Sequence, residues 1–235
     1  MGGGYARRRR ADPRIAARIE AALGGARRVL NVGAGAGSYE PAGRDVTAVE
    51  PSATMIAQRP EGAAPCVQAF AEALPFEDGA FDAAMAVLTV HHWSDPAKGL
   101  AEMRRVATRP LVLLTADPAF RGHWLHEYFP ELVALDDRVM PPLDWLGHAL
   151  GGARIEAVPV PHDCIDGFLH ANWRRPEAYL DPAVRAASSG LATTDTAEGV
   201  ERLARDLSNG TWERRFGHLR SRAELDCGYR LVVAG

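Results

Sequence analysis

Three alternating glycines follow an apolar run near the start of the chain. Residues 29–37 read Val-Leu-Asn-Val-Gly-Ala-Gly-Ala-Gly, which places the glycines at 33, 35 and 37. Because glycine has no Cβ, this turn can take positive φ angles and let a ligand lie directly against the peptide groups. The pattern predicts a strand that ends in a backbone site for a nucleotide-like ligand. A purely structural turn is the alternative, since glycine-rich turns also occur without ligands.

A carboxylate stands at the end of the next predicted strand. Residues 46–50 read Val-Thr-Ala-Val-Glu, and the turn Pro51-Ser52 follows. An acid at the tip of the strand beside a glycine turn can accept hydrogen bonds from both ribose hydroxyls of a bound cofactor. The alternative is that Glu50 is a favourable charge at the N-terminus of a helix that begins near Ser52.

Two consecutive histidines, His91 and His92, follow the apolar run 81–90. Imidazole titrates near neutral pH, so a histidine at the end of a strand can take a proton from a hydroxyl, an amine or an acidic carbon. For each of them, a packing or hydrogen-bonding role is the alternative. Further candidates for acid–base chemistry lie later in the chain, at His162, Asp163, Asp166 and His170.

Strand and helix patterns alternate around these residues, which predicts a Rossmann-like α/β fold with a doubly wound, mostly parallel sheet. Amphipathic or apolar periodicity places helices from Pro13, after Ser52, from Pro96 and from Pro142. Only eight residues separate Gly37 from Val46, so the helix after the glycine turn is limited to about one turn. The predicted strands cover 29–32, 46–50, 66–70, 81–90, 110–115, 154–160 and 229–233.

The glycine spacing separates two candidate cofactors. A nicotinamide dinucleotide and S-adenosylmethionine (SAM) would both use a glycine turn beside an acidic strand end. The dinucleotide fingerprint is G-x-G-x-x-G, whereas this chain has G-x-G-x-G with Ser38 in place of the third fingerprint glycine. The spacing therefore disfavours a dinucleotide.

Five segments resemble the successive motifs of class I SAM-dependent methyltransferases, in particular the type 11 methyltransferases. The segments are 29–37, 49–52, 74–76, 81–82 and 91–95, and the resemblance covers about residues 26–117. It implies a seven-stranded sheet whose last strand is antiparallel, with SAM across the carboxyl ends of the strands. The expected reaction is methyl transfer to a small-molecule acceptor, with His91 or His92 as the catalytic base.

The resemblance also implies a set of cofactor contacts. Tyr5 and Arg9 match an N-terminal arm that some members of the family fold over the amino-acid end of SAM. The predicted cofactor contacts are Tyr5, Arg9, Asn31, Gly33, Ala34, Gly35, Gly37, Glu50, Pro51, Met55, Ala71, Glu72 and Leu88.

Two positions depart from the family pattern. Asn31 stands where members usually have Asp or Glu, and Phe70 stands where an Asp would hold the adenine amino group. Asn31 can still accept a hydrogen bond from the ammonium group of SAM through its amide oxygen. Contacts to adenine are then expected from the backbone at Ala71 or from Glu72.

Composition narrows the choice of partners. The 235 residues carry 27 Lys and Arg against 30 Asp and Glu, a net charge of −3, which gives no general attraction for nucleic acid or an anionic membrane. The three cysteines are widely separated and lack C-x-x-C spacing, so neither a disulfide framework nor a metal site is expected. A cytoplasmic protein with a small-molecule partner fits these features, and the oligomeric state is left open.

We expect residues 1–235 to form a single methyltransferase domain with a largely helical insertion before its last strand. The insertion is expected to select the acceptor, because its aromatic residues suit a mostly apolar pocket; attachment of the insertion to the sheet is the alternative role. Those residues are Phe168, Trp173 and Tyr179, with Arg174 and Arg175. The predicted parts are an arm and helix (1–25), the SAM-binding core (26–117), a lid and outer strand (118–160), the insertion (161–227) and the last strand (228–235).

Two other functions remain open at this point. A nicotinamide-dependent oxidoreductase would use a similar fold, and a SAM-binding module without a catalytic pocket would share the same cofactor motifs.

Overall fold

Seven strands form one sheet within residues 9–235, the part of the chain that this computed structural model describes. The sheet has the order β3-β2-β1-β4-β5-β9-β6, and a separate antiparallel pair is formed by β7 and β8. The strands are β1 (Arg28–Val32), β2 (Asp45–Val49), β3 (Cys66–Val67), β4 (Ala83–Val87), β5 (Leu111–Ala116), β6 (Arg154–Ala157), β7 (Val160–Pro161), β8 (Glu224–Leu225) and β9 (Tyr229–Ala234).

The sheet has the predicted topology. Strands β1 to β5 pair in parallel, whereas β9 is antiparallel to both of its neighbours, β5 and β6. The carboxyl ends of β1, β2 and β4 therefore lie at one edge of the sheet, where the glycine turn, Glu50 and the two histidines follow them. The predicted seven-stranded, mostly parallel sheet with an antiparallel last strand is confirmed.

The helices are α1 (Pro13–Leu23), α2 (Ala53–Ile56), α3 (Pro96–Val106), α4 (Leu125–Tyr128), α5 (Glu131–Val139), α6 (Leu143–Ala149), α7 (Pro182–Arg185), α8 (Ser189–Thr193), α9 (Ala197–Ser208) and α10 (Thr211–Phe216). Short 3-10 helices cover Val90–His92, Pro176–Leu180 and Gly217–Ser221. Between Gly33 and Arg44 the chain forms turns and no helix, in agreement with the short spacing of the sequence. Within the described residues, no helix combines the length and the apolar composition that crossing a membrane would require.

Contacts divide the chain into two compact units. The sheet unit consists of Pro13–Asp117, Val139–Val158 and Tyr229–Gly235. The helical unit consists of the described part of Met1–Asp12, together with Pro118–Arg138 and Pro159–Gly228. The segment after β5 thus joins the insertion, although about 20 residues of the sheet unit separate them in sequence.

Three predicted strands are shorter than the sequence pattern indicates. The predicted strand 66–70 is limited to Cys66–Val67, because β3 lies at the edge of the sheet and pairs only with β2. The predicted strand 81–90 is limited to Ala83–Val87, since Leu88 has a φ of 52° and turns the chain out of the sheet. The predicted strand 154–160 is divided, with its end in the separate pair of β7 and β8.

Helix α3 shows how the sheet unit is packed. Asp95 caps it by accepting a hydrogen bond from the Lys98 amide at 3.0 Å, and Pro96 occupies its first turn. Its buried residues join the apolar side chains of the sheet in one core, and they include Leu100, Met103 and Val106. The helix also contains Gly99, where a Cβ would lie 2.5 Å from Cε3 of Trp93.

The space around Gly99 leads to the first prediction. Gly99→Ala should lower the free energy of unfolding by about 1–3 kcal/mol, because the added methyl group overlaps the Trp93 ring. The matched control is Gly147→Ala in α6, where no atom lies within 4 Å of the new Cβ. This control should instead stabilise the protein by about 0.5–1 kcal/mol through the helix preference of alanine. Urea denaturation of both variants measures the two effects. Equal changes in the free energy of unfolding would contradict the close packing of Gly99 against Trp93.

Candidate active site

The glycine turn begins directly at the end of β1. The amides of Gly33 and Ala34 donate hydrogen bonds to the carbonyl of Val49 at 2.8 and 2.9 Å, which joins the start of the turn to the end of β2. Gly33, Gly35 and Gly37 have φ angles of 70°, 54° and 92°. All three glycines therefore adopt the left-handed conformation that the sequence predicts for a turn with an exposed backbone.

Gly33 and Gly35 differ in their surroundings. A Cβ at Gly33 would lie 2.2 Å from the Thr89 hydroxyl oxygen, so the protein itself leaves no room for a side chain there. At Gly35, the nearest atom to a Cβ within 4 Å is the Met55 methyl group at 3.5 Å. Glycine is thus required at position 35 by the φ angle and not by a lack of space, and the peptide of Gly35 has room for an approaching group.

Glu50 binds the glycine turn with one carboxylate oxygen and the start of α2 with the other. Oε2 accepts a hydrogen bond from the Gly35 amide and Oε1 accepts one from the Ser52 amide, each at 2.9 Å. The residue is 8% exposed. Each carboxylate oxygen can accept more than one hydrogen bond, so Glu50 can hold the turn and still bind a pair of hydroxyl groups. The Ser52 hydroxyl in turn caps α2, so Glu50 also lies beside a helix start, as the alternative interpretation proposed.

Asn31 is the polar residue inside β1. It is 1% exposed and lies in register with Ala48 of β2 and Met85 of β4. Neither its amide oxygen nor its amide nitrogen has a hydrogen-bond partner among residues 9–235. A buried amide without partners destabilises a folded protein, and a polar group of a cofactor is the kind of partner that would satisfy it. The residues at this edge therefore fit SAM.

The predicted adenine contacts lie beyond the end of β3. Ala71 is buried, whereas Phe70 is 64% exposed. One carboxylate oxygen of Glu72, Oε1, accepts hydrogen bonds from the Ser94 hydroxyl at 2.8 Å and from the Asp95 amide at 3.0 Å. Burial raises the pKa of Glu72, but these hydrogen bonds outweigh it and the pKa is lowered. Glu72 thus positions the start of α3, a role that the sequence did not predict.

The other predicted site residues lie on the same edge of the sheet, except two. Pro51 and Met55 lie around the start of α2, and Leu88 follows β4 directly. Arg9 belongs to the helical unit, where its Nε donates to the fully buried carboxylate of Asp166 at 2.7 Å. Tyr5 lies outside the described residues.

His91 and His92 lie in the 3-10 helix that follows β4. Their ring centroids are 3.9 Å apart, and His91 is half-buried while His92 is exposed. The amide of His92 donates to the Thr89 carbonyl at 2.8 Å, which fixes the turn that carries both rings. The sequence correctly placed the pair just past the carboxyl end of this strand.

Comparison with known proteins shows the family. A family model described as a methyltransferase domain matches residues 30–110. An uncharacterized methyltransferase of Mycobacterium tuberculosis is 33% identical, over 71% of this chain and 79% of that protein. A crystal structure of a protein from Anabaena variabilis, assigned as a methyltransferase from an antibiotic biosynthesis pathway, is 33% identical, covers 98% of this chain and 99% of its own, and has a TM-score of 0.89.

The chain belongs to the SAM-dependent methyltransferases. SAM is accordingly the cofactor of this methyltransferase, and the two alternative functions are set aside. The YcgJ protein of Bacillus subtilis, 19% identical over 94% of this chain and 96% of its own with a TM-score of 0.55, shares the fold.

The aromatic residues that the sequence assigned to an acceptor pocket lie in the interior of the helical unit of this methyltransferase. Phe168, Trp173 and Tyr179 are all at most 5% exposed. Nε1 of Trp173 donates to the Val160 carbonyl at 3.0 Å, and the carbonyl of Trp173 accepts from Nε1 of Trp124 at 2.8 Å. These contacts are typical of a packed core. For Trp173, the expected acceptor contact is therefore replaced by a structural role.

The two arginines of that group have structural contacts too. Arg174 donates to the Arg222 carbonyl at 3.3 Å, and Arg175 donates to the carbonyls of His162, Cys164 and Ala171. An arginine that satisfies several backbone carbonyls holds loops together.

The helical unit contains one polar cluster that the sequence analysis did not assemble. The rings of His123, His126 and His170 lie together, with centroids 4.4 to 6.1 Å apart. Of these three, the sequence analysis singled out His170, but no local pattern joins it to residues more than 40 positions away. No group of three or more His, Cys, Asp or Glu within residues 9–235 is arranged to hold a metal ion.

The geometry of Glu50 leads to the second prediction. Glu50→Ala should weaken SAM binding by about 1.5–3 kcal/mol, because the variant loses a charged acceptor and the hydrogen bonds that hold Gly35. Glu50→Gln keeps one acceptor oxygen and should therefore lose less SAM affinity than Glu50→Ala. Isothermal titration calorimetry with SAM measures both, and Glu61→Ala on the nearby surface is the control. Unchanged affinity in Glu50→Ala would remove this residue from the cofactor site.

Proposed function

We propose that this methyltransferase transfers the methyl group of SAM to a small organic acceptor, with the cofactor held by the sheet unit and the acceptor selected by the helical unit. The arrangement that carries the proposal is the turn at Gly35 beside Glu50, where the Gly35 amide and the Glu50 carboxylate lie 2.9 Å apart. The sheet unit thereby contains the proposed contacts to the ribose and along the glycine turn, and the helical unit remains available for the acceptor.

The proposed cofactor contacts follow from the site. Glu50 binds the ribose hydroxyls, the peptides from Gly33 to Gly37 lie against the cofactor, and the Asn31 amide oxygen accepts a hydrogen bond from the ammonium group. Phe70, which is largely exposed beyond β3, provides an apolar surface for adenine in place of an acid. The remaining proposed contacts are those predicted from the sequence, with Arg9 and Tyr5 on the N-terminal arm.

The reaction requires little side-chain chemistry. The sulfonium of SAM carries an already activated methyl group, so the protein has to align a nucleophile and exclude water. In our proposal, His91 or His92 accepts the proton that the nucleophile loses. A neutral imidazole can do this near pH 7.

Several features support a small acceptor inside the cell. The net charge of −3 offers no attraction for nucleic acid, and Cys66, Cys164 and Cys227 are all free thiols, as expected in a reducing cytoplasm. The Anabaena variabilis protein, assigned to antibiotic biosynthesis, aligns over both units of this chain. An acceptor of the natural-product type is therefore our preferred class.

Ligand binding to the purified full chain tests the cofactor half of the proposal. SAM and its demethylated product should each raise the melting temperature, since a ligand that binds only the folded state stabilises it by mass action. NAD at the same concentration should have no effect. A shift with NAD and none with SAM would contradict the proposal. Transfer of a labelled methyl group from SAM to a panel of small hydroxyl, amine and thiol compounds then tests the acceptor half.

The unpaired amide of Asn31 leads to the third prediction. Asn31→Leu should leave the free energy of unfolding of the ligand-free protein unchanged or higher, because the variant removes two buried groups without partners. SAM affinity should fall by about 1.5–3 kcal/mol, the range for a hydrogen bond to a charged group such as the ammonium of SAM. Chemical denaturation and calorimetry measure the two quantities. A loss of stability with unchanged affinity would show that Asn31 has only a structural role.

The histidine pair leads to the fourth prediction. Replacing the proton-accepting histidine by glutamine, as His91→Gln or His92→Gln, should lower kcat by about 100-fold or more, because general base catalysis typically contributes that much. The Kd for SAM should stay unchanged, since neither ring is placed in the cofactor contacts. His148→Gln on α6 is the control. If both variants retain full kcat, another group accepts the proton.

A further inference from the structure

Three histidines from separate parts of the helical unit share one small volume. His123 precedes α4, His126 lies within α4, and His170 lies in the segment before the 3-10 helix Pro176–Leu180. The ring centroids of His123 and His170 are 4.4 Å apart, and that of His126 lies 5.4 Å from His170 and 6.1 Å from His123. None of these residues has a role in the cofactor site or in the proposed proton transfer.

The hydrogen bonds of His123 assign its proton. Its Nδ1 accepts a hydrogen bond from the Leu125 amide at 3.0 Å, so the proton of the neutral ring is on Nε2. That Nε2 donor is buried and has no hydrogen-bond partner among residues 9–235. The residue as a whole is 2% exposed. His123 therefore directs an unsatisfied N–H into the interior of the helical unit.

His126 adds a second unsatisfied group. Both of its ring nitrogens are buried and, within the described chain, neither has a partner. The residue itself is half-buried, so the cluster lies close beneath the surface of the unit. A neutral imidazole has one donor and one acceptor. Together, the two rings present two donors and one acceptor that the fold does not use.

The cluster is uncharged at neutral pH. Burial lowers the pKa of all three rings, and the neighbouring rings or Arg121 lower it further; for His170 the pKa falls to about 3. The Arg121 guanidinium, which lowers the pKa of His126, is paired with Asp137 at 2.6 Å. Within the described residues, the rings therefore provide hydrogen bonds without a strong positive charge, which suits a neutral polar group better than a carboxylate or phosphate.

One indole lies beside the cluster and connects it to the aromatic core of the unit. The indole of Trp124 lies 5.4 Å from the His123 ring and contacts Tyr128, Tyr179 and Trp212 edge to face, at 5.5 to 5.9 Å. These four residues are at most 3% exposed, so the polar groups of the cluster have an apolar aromatic neighbour, a combination that is usual in small-molecule sites. A ligand with an aromatic body and one polar end matches this composition.

We propose that His123 and His126 bind the polar end of the methyl acceptor, and that this end is an uncharged hydroxyl or carbonyl on an aromatic molecule. The inference rests on the proposed function, because it names the acceptor class that the helical unit selects. The Nε2–H of His123 donates to the oxygen of the acceptor, and His126 accepts from its hydroxyl or donates to its carbonyl. His170 packs against both rings and holds them in place.

A set of naphthalenes tests the proposal without knowledge of the natural acceptor. The full chain, saturated with the demethylated product of SAM, is titrated with 2-naphthol, 2-methoxynaphthalene and 2-naphthoate in a calorimeter. 2-Naphthol should bind about tenfold more tightly than 2-methoxynaphthalene, because only the naphthol has a proton to donate to His126. It should also bind more tightly than the charged 2-naphthoate.

Variants of the two rings give the decisive comparison. His126→Phe should reduce the preference for 2-naphthol to about onefold, while the melting temperature stays the same or rises because two unsatisfied nitrogens are removed. His123→Phe is the second variant, in case the first does not fold. The control is His218→Phe, at an exposed position of the same unit, which should keep the full preference.

Three results would overturn the proposal: no binding of 2-naphthol, equal affinity for 2-naphthol and 2-methoxynaphthalene, or a full preference in His126→Phe. A fall in melting temperature with an unchanged preference would assign the cluster to packing. Failure of the proposed function would be seen separately, because the product of SAM would then not bind to the chain at all.

Discussion

The two hydrogen bonds that Glu50 accepts are the constraint on which the site depends. One comes from the glycine turn after β1 and the other from the start of α2, so a single carboxylate fixes two loops at the end of the sheet. The turn between Gly33 and Arg44 contains no helix. The end of β2 holds the first part of this turn through Glu50 and through the Val49 carbonyl. In our proposal, the residue that binds the ribose also holds the turn against which the cofactor lies.

Two other polar residues of the sheet unit, Glu72 and Asn31, differ in how far the fold itself uses their hydrogen-bonding groups. One carboxylate oxygen of Glu72 already accepts two hydrogen bonds from the residues that begin α3, whereas the Asn31 amide has no partner among the described residues. Two residues predicted to contact one ligand thus differ in a way that sequence motifs do not reveal. A side chain whose hydrogen-bonding capacity is already satisfied by backbone is a weaker candidate for direct contact than one that is buried and unpaired.

The sequence predicts the sheet unit well because its signals are local. The glycine spacing, the acid that ends β2 and the Asp95-Pro96 helix start each lie within a few residues, and the structure confirms the sheet that they imply. Strand ends were predicted less well, since the positive φ of Leu88 and the edge position of β3 depend on tertiary context. The helical unit was the least predictable part, because its core joins Trp124 to Trp173 and His123 to His170 across long stretches of chain. The length of residues 161–227 indicated a largely helical insertion but not which of its aromatic residues are buried.

The unpaired amide of Asn31 also bears on how much of this enzyme a cell maintains. A buried polar group without a partner leaves the ligand-free chain less stable than its packing allows, and a bound molecule that satisfies the amide removes this penalty. Unfolded chains are the substrates of cellular proteases, so the lifetime of the protein then increases with the concentration of its cofactor. In our proposal, the chain would therefore last longest where its methyl donor is plentiful.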